Sequence, residues 1–266
     1  MPNQMDFTLV DMFFHISPKG AEHPLLELPA TDFRDREIAY HTLITAGNMV
    51  QATSIQLAAS FVGISFFNLC ITNLIFAAQY NRYLDLSLDN LTYQLESHDD
   101  HAHLGFKIKE LRWTEVPLAV EERKAFLEKA FSSSFQNEIN DIVEAVAVGA
   151  DVKSGMIWSQ VGGQINEVRH YVLEQIKDPA LVEAFLRDLD VILSLPAEVF
   201  NRKRNPFVHK PRFIDNPWAP EGGQLMLRSS CCMYDCRVDG QKCYNCPRML
   251  PEERDERRKL VVAGAH

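Results

Sequence analysis

Five of the six cysteines in a 266-residue chain fall within SSCCMYDCRVDGQKCYNCPR, residues 229–248; Cys70 is the sixth. Cys231, Cys232, Cys243 and Cys246 are spaced C-C, ten residues, C-x-x-C, with Cys236 inside the loop. A C-x-x-C turn brings two sulfurs onto one soft cation, which suits zinc or iron. Structural zinc usually takes its second pair from another short knuckle, whereas adjacent cysteines diverge from neighbouring backbone units. Such a pair suits a larger group gripped at more than one place, and a [2Fe–2S] cluster, which needs four thiolates, is one. On this ground alone zinc stays open, and so do disulfides or idle thiols.

Composition narrows the setting. Hydrophobic residues at 46% and charged residues at 24% are ordinary for a globular protein, and the chain is long enough to bury a core without disulfides. The start, MPNQMDFTLVDMFF, lacks a basic stretch followed by an apolar run, so a cytoplasmic address is expected, where clustered thiols bind metal more often than they pair. A net charge of −9 argues against a general nucleic-acid binder and leaves at most peripheral membrane contact. From Asn201 to Arg248, however, nine Lys and Arg face four Asp and Glu, a local +5 on a remainder of −14. The cysteines lie at the end of a basic island.

The elements that must position them are mainly helical. No Asp, Glu, Lys or Arg occurs between Glu37 and Arg82, and LAASFVGISFFNLCITNLIF (57–76) has the length and apolarity of a membrane span. Asn68, Asn73, Gln56 and Gln79 in or beside it, and Gly63 as a break, favour a buried helix or helix pair instead. Asp32 is placed to cap a helix from about Phe33 to Gln51. Alternation of Leu91, Tyr93 and Leu95, and of Leu104, Phe106 and Ile108, predicts an antiparallel hairpin near 91–110 around the polar loop SHDDHAH. Ser133 and Gln136 form a capping-box pattern, with Phe135, Ile139, Ile142, Val143 and Val146 on one helical face and Gly149 at its end. Further helices are expected over 154–176 and from Asp178-Pro179 toward Phe200, then a proline-rich crossing and a short strand, GQLMLR (223–228). The fold class is thus α+β, mainly α, with a small antiparallel sheet. It divides into a helical body over 1–220, a C-terminal iron–sulfur module over 221–250 and a frayed tail over 251–266.

The run from Arg228 to Tyr234, RSSCCMY, followed by Cys243-Tyr244-Asn245-Cys246-Pro247-Arg248, resembles the C-terminal signature of the ferric-siderophore reductases, the FhuF-like ferric iron reductase family. MIWSQVGGQI (156–165) and RNPF (204–207) are similar in position to family features; the N-terminal half matches only in length and apolar character. Cys236 is a departure, since the family more often carries another residue there. The resemblance implies a [2Fe–2S] cluster on Cys231, Cys232, Cys243 and Cys246, which are then both the metal ligands and the catalytic redox residues. It also implies one-electron reduction of Fe(III) in a siderophore of hydroxamate or citrate–hydroxamate type. The electron must come from an external donor such as a ferredoxin or a flavoprotein reductase, because the chain shows no nicotinamide, flavin or phosphate-loop motif.

Arg228, Lys242 and Arg248, each within three residues of a ligand cysteine, are candidate contacts for an anionic chelate, and Arg202, Lys203, Arg204, Lys210 and Arg212 precede them. The same residues also read as a solvated counter-charge to the thiolates. His98, Asp99, Asp100, His101 and His103 read as a solvated turn rather than a metal site. Trp113 and Trp158 read as packing, and Cys70 as an inert buried thiol.

Overall fold

An α+β, mainly helical architecture surrounds the charge-free stretch; the computed structural model describes residues 5–98, 101–219 and 222–264. Helix α1 (Thr8–Phe14) leads into β1 (Ile16–Ser17), and β2 (Leu26–Pro29) into a 3-10 turn at Ala30–Arg34. Helix α2 (Arg36–Met49) is capped by Asp35, whose Oδ1 accepts from the N–H groups of Glu37 at 2.8 Å and Ile38 at 3.2 Å. The expected cap, Asp32, lies inside the 3-10 turn; Asp35 has the extended backbone (φ −81, ψ 122) that lets a carboxylate reach forward onto the helix.

The apolar stretch forms two helices, α3 (Ile55–Ser65) and α4 (Phe67–Tyr80), which meet at Phe66 rather than at Gly63. This pair is long and apolar enough to cross a membrane, yet 83% of its most apolar window is buried inside the protein. Both of its asparagines have internal partners: Asn73 Oδ1 accepts from Leu84 N at 2.7 Å, and Asn68 Oδ1 accepts from Gln164. Cys70 is buried among them, and desolvation raises its pKa far above the ordinary thiol value.

Strands β3 (Arg82–Leu84), β4 (Leu91–His98), β5 (His101–Ile108) and β6 (Trp113–Glu115) follow. The expected hairpin is β4–β5, with Leu91 opposite Ile108 and Tyr93 opposite Phe106, all four buried. The sheet around it, in the order β1-β5-β4-β2, is mixed rather than wholly antiparallel, because β1 runs parallel to β5. Gly105 permits that pairing: a Cβ there would stand 1.9 Å from the His15 carbonyl, which accepts from Phe106 N at 2.8 Å. The polar loop is also shorter than expected. His98, His101 and His103 belong to the strands, His103 stacks on His15 with ring centroids 4.1 Å apart, and Asp99 and Asp100 lie outside the described residues. Strands β3 and β6 pair separately, with the Arg82 guanidinium 4.6 Å from the Trp113 ring centre.

Helix α5 (Val120–Ser134) passes through a π-helical turn at Phe135–Ile139 into α6 (Asn140–Gly149). Ser133 and Gln136 therefore box no helix start, because the chain is already helical there. The inward face is as expected: Phe135, Ile139, Ile142, Val143 and Val146 are all buried. Helices α7 (Gly155–Gln175) and α8 (Pro179–Ser194) complete the body, with Asp178 Oδ1 capping α8 by accepting from Ala180 N at 3.0 Å. A buried ion pair, Arg123 Nη2 to Asp188 Oδ2 at 2.5 Å, bolts α5 to α8. RNPF has a local structural task. Asn205 Nδ2 donates to the carbonyls of Ile192 (2.8 Å) and Leu195 (3.1 Å), while its Oδ1 accepts from Phe207 N (2.9 Å), closing the end of α8. Beyond it, β7 (Phe213–Asp215) pairs antiparallel with β8 (Gln224–Met226). The tail is ordered as helix α9 (Pro251–Val262), contrary to the frayed end expected.

Candidate metal centre

Strand β8 delivers the chain to the cysteines, and backbone bonds fold the segment back on itself. Arg228 N donates to Asn245 O at 3.1 Å and Asn245 Nδ2 to Met226 O at 3.1 Å, so the C-x-x-C turn lies beside the strand that precedes C-C. The turn itself closes through Cys246 N to Cys243 O at 2.9 Å. Met233 adopts a left-handed backbone (φ 60) directly after the adjacent cysteines, and its N–H donates to Cys231 Sγ at 3.3 Å.

The segment rests on the body at three places. Ser229 Oγ accepts from Gly163 N at 2.9 Å and donates to Gln160 O at 3.2 Å, both on α7. Gly163 makes that approach possible, since a Cβ there would meet Ser229 Oγ at 2.7 Å and Ser229 N at 3.0 Å. Thr53 N donates to Cys236 O at 2.9 Å, and Val238 N to Gln51 O at 3.0 Å. On the far side α9 holds the turn: Arg254 donates to Tyr244 O (3.1 Å) and Cys246 O (2.9 Å), and Arg257 to Lys242 O. These tethers were not expected, although Pro251 at the first helical position, acidic residues behind it and Lys259 in the last turn are helix-start and helix-end signals.

The four motif thiols come together as two pairs, each taking one member from C-C and one from C-x-x-C. Cys246 Sγ lies 3.7 Å from Cys231 Sγ, and Cys243 donates a hydrogen bond to Cys232. The first pair is buried with Met249 in a small apolar cluster separate from the main core, and the second is partly open to solvent. Cys236 stands outside both pairs and contributes its carbonyl to the docking with the body. Among the described residues, no group of three or more His, Cys, Asp or Glu side chains is placed to hold a single metal ion.

Electrostatics differ between the pairs. Burial pushes the Cys231 thiol up to about 11, against the bond from Met233 N. The bond from Cys243 holds Cys232 down to about 6, and Arg228 adds to it; Cys243, as donor, is raised. Arg248 Nη1 stands 3.9 Å from Cys231 Sγ and 3.1 Å from Met233 Sδ. Partial desolvation works against the charge on Arg228, but Cys232, Cys243, Glu167 and Cys246 outweigh it and raise its pKa. Lys242 is held by Glu253, with Nζ 2.9 Å from Oε2. Of the preceding basic residues, Arg202 is engaged by Glu144 and by Ser154 Oγ, and lies over the buried Trp158 ring.

Fold and site thus define a mainly helical α+β protein that presents four free thiols in two pairs flanked by two arginines. Neither a scan against protein-family models nor a search of curated proteins returns a match to the chain.

Proposed function

We propose that this protein is a cytoplasmic ferric-siderophore reductase, resembling the FhuF-like ferric iron reductases, with a [2Fe–2S] cluster held by Cys231, Cys232, Cys243 and Cys246. The observation that carries the reading is the pairing of thiols across the motif. Two thiolates about 2.3 Å from one tetrahedral metal lie about 3.8 Å apart, close to the 3.7 Å between Cys231 and Cys246. With Cys232 and Cys243 as the second pair, each of the two irons of a cluster would have the two protein thiolates it needs. A zinc-stabilised binding module, the rival reading, would bring all four thiols toward one point rather than into two pairs.

When bound, the cluster supplies electrons one at a time. The chain's own residues hold it, set its surroundings and recruit the substrate. Arg228 and Arg248 stand beside the thiols, where they favour the more negative state and attract an anionic ferric chelate of hydroxamate or citrate–hydroxamate type. Lys242 is offset by the Glu253 carboxylate it pairs with, which leaves the two arginines as the main source of that field. The substrate Fe(III) gains one electron and becomes Fe(II), which hard oxygen donors grip far less well, so the metal is released. An external ferredoxin or flavoprotein returns the electron. The more open pair, Cys232 and Cys243, is the natural side for both encounters.

The test is a visible spectrum and iron count on anaerobically purified protein, then addition of a ferric hydroxamate chelate to the dithionite-reduced form after removal of excess reductant. A brown protein with two irons per chain, bleached by reduction and recoloured as Fe(II) appears, is the expected result. A colourless protein carrying one zinc would refute the reading.

A further inference from the structure

Cys231 and Cys246 stand with their sulfurs 3.7 Å apart, and both are almost wholly buried, at 6% and 3% exposure. Cys232 and Cys243 are joined by a hydrogen bond of their own and are more open to solvent. All four are free thiols. A disulfide holds its sulfurs about 2 Å apart, a gap that side-chain rotation closes from such a starting point. The arrangement is not the one the spacing suggests, because a C-x-x-C turn ordinarily closes on itself. Here each sulfur of the turn is matched with a different member of C-C. Backbone contacts hold that arrangement: Arg228 N donates to Asn245 O, Ser229 is seated on α7 at Gly163, and Arg254 grips the carbonyls of Tyr244 and Cys246. Cys236, also a free thiol, belongs to neither pair.

We propose that, when no metal occupies the thiols, oxidation by glutathione disulfide closes two bonds across the motif, first Cys232–Cys243 and then Cys231–Cys246, and leaves Cys236 free. Cys232, which accepts the bond from Cys243, attacks one glutathione sulfur as thiolate; a mixed disulfide forms and one glutathione departs. The Cys243 thiolate then attacks the Cys232 sulfur, which closes the protein disulfide and expels the second glutathione. The two protein thiols give up two protons and two electrons, and the two departing glutathiones carry them away. The buried pair follows by the same steps more slowly, because the oxidant reaches it less readily. Together the bonds clasp the two halves of the motif and consume all four candidate ligands, and a dithiol reductant opens them again. This goes beyond the redox reading and rests on thiol geometry alone, so it holds whether the cysteines take iron or zinc.

To test it, the full chain is freed of metal with a chelator under anaerobic conditions and treated with glutathione disulfide. Remaining thiols are alkylated in denaturant, and the intact mass is read. The expected product has lost four hydrogens, carries no glutathione and keeps two alkylatable thiols, Cys70 and Cys236. Double serine variants, each checked for native circular dichroism, report the connectivity. Cys232→Ser/Cys243→Ser and Cys231→Ser/Cys246→Ser should each close one disulfide. Closure there should be about tenfold faster than in Cys231→Ser/Cys243→Ser, Cys232→Ser/Cys246→Ser or Cys231→Ser/Cys232→Ser, whose thiols are not matched and should collect glutathione instead. Fastest closure of Cys243 with Cys246, equal rates across the variants, or stable glutathione adducts on the wild-type chain would overturn the proposal; the wild-type mass decides even where a variant fails to fold.

Discussion

Asp188→Ala is the substitution whose cost the structure sets most clearly. Arg123 is 2% exposed and Asp188 1%. The guanidinium donates from Nε to Asp188 Oδ1 (2.7 Å) and from Nη2 to Oδ2 (2.5 Å), while Asn81 Oδ1 (2.8 Å), Ala77 O (2.7 Å) and Pro117 O (3.3 Å) take the remaining donors. Three neutral acceptors remain after truncation, but no negative charge does. An uncompensated buried cation of this kind costs about 3–5 kcal/mol. For a chain of this size about 2 °C is lost per kcal/mol, so thermal unfolding followed by circular dichroism should show a fall of roughly 6–10 °C. Removing both charges with Arg123→Met and Asp188→Leu should recover much of that loss, since an apolar pair replaces the desolvated ions. A fall below about 2 °C for Asp188→Ala would refute the reasoning, as would a double variant destabilised by the full sum of its two singles.

Serine in place of Cys231, Cys232, Cys243 or Cys246 should each lower the iron content and alter the visible spectrum of anaerobically prepared protein. Cys236→Ser should leave both unchanged, and a loss there would reassign the ligands. Gly163→Ala places a Cβ against Ser229 and should destabilise by about 1–3 kcal/mol, with the iron-to-protein ratio falling alongside the melting temperature; an unchanged ratio would show that the Ser229 tether does not hold the cysteine segment. Burial raises the Glu138 carboxyl pKa against the bond it accepts from Leu88 N. The fold thus binds that proton more tightly than the unfolded chain does, a stabilisation complete at acid pH and lost as pH rises through the raised value. Glu138→Gln should accordingly melt higher than wild type at neutral pH, with the difference closing on acidification; a difference independent of pH would refute the assignment.

The strongest signals in the chain were those that several residues carry together. Absence of charge from 38 to 81 announced the buried helix pair, and alternation on both arms announced β4–β5. Single-residue choices were not legible. Asp32 and Asp35 are equally good caps by type, and only the backbone at 35 decides between them. The two residues of β1 are too few for any period, so its parallel pairing could not be foreseen, although Gly105 marks the place. Helix α9 carried end signals but no apolar stripe; what secures it is Arg254 and Arg257 reaching the C-x-x-C turn. At the site, thiol identity and spacing were plain from the chain. Which sulfur meets which depends on the Asn245–Met226 and Ser229–Gly163 tethers, and neither leaves a mark in cysteine spacing.

The π-helical turn joining α5 to α6 works as a phase corrector. Arg123, Leu127, Phe131, Phe135 and Ile139, all buried, recur every four residues. On an unbroken α-helix that spacing would wind about 40° further round the axis at each step. The wider turn takes back about one such step, between Phe135 and Ile139, as the rod's neighbours change from α8 to α2 and α3. Forcing plain α geometry on 135–139 with every residue kept would swing all of α6 by about 90°, carrying Ile142 and Val146 toward water, whereas deleting one residue there would let the turn close to α geometry with α6 nearly in place. Within α5 or α6 proper a one-residue deletion turns everything beyond it by about 100°, so along this rod the count of residues is guarded everywhere except at its wide turn.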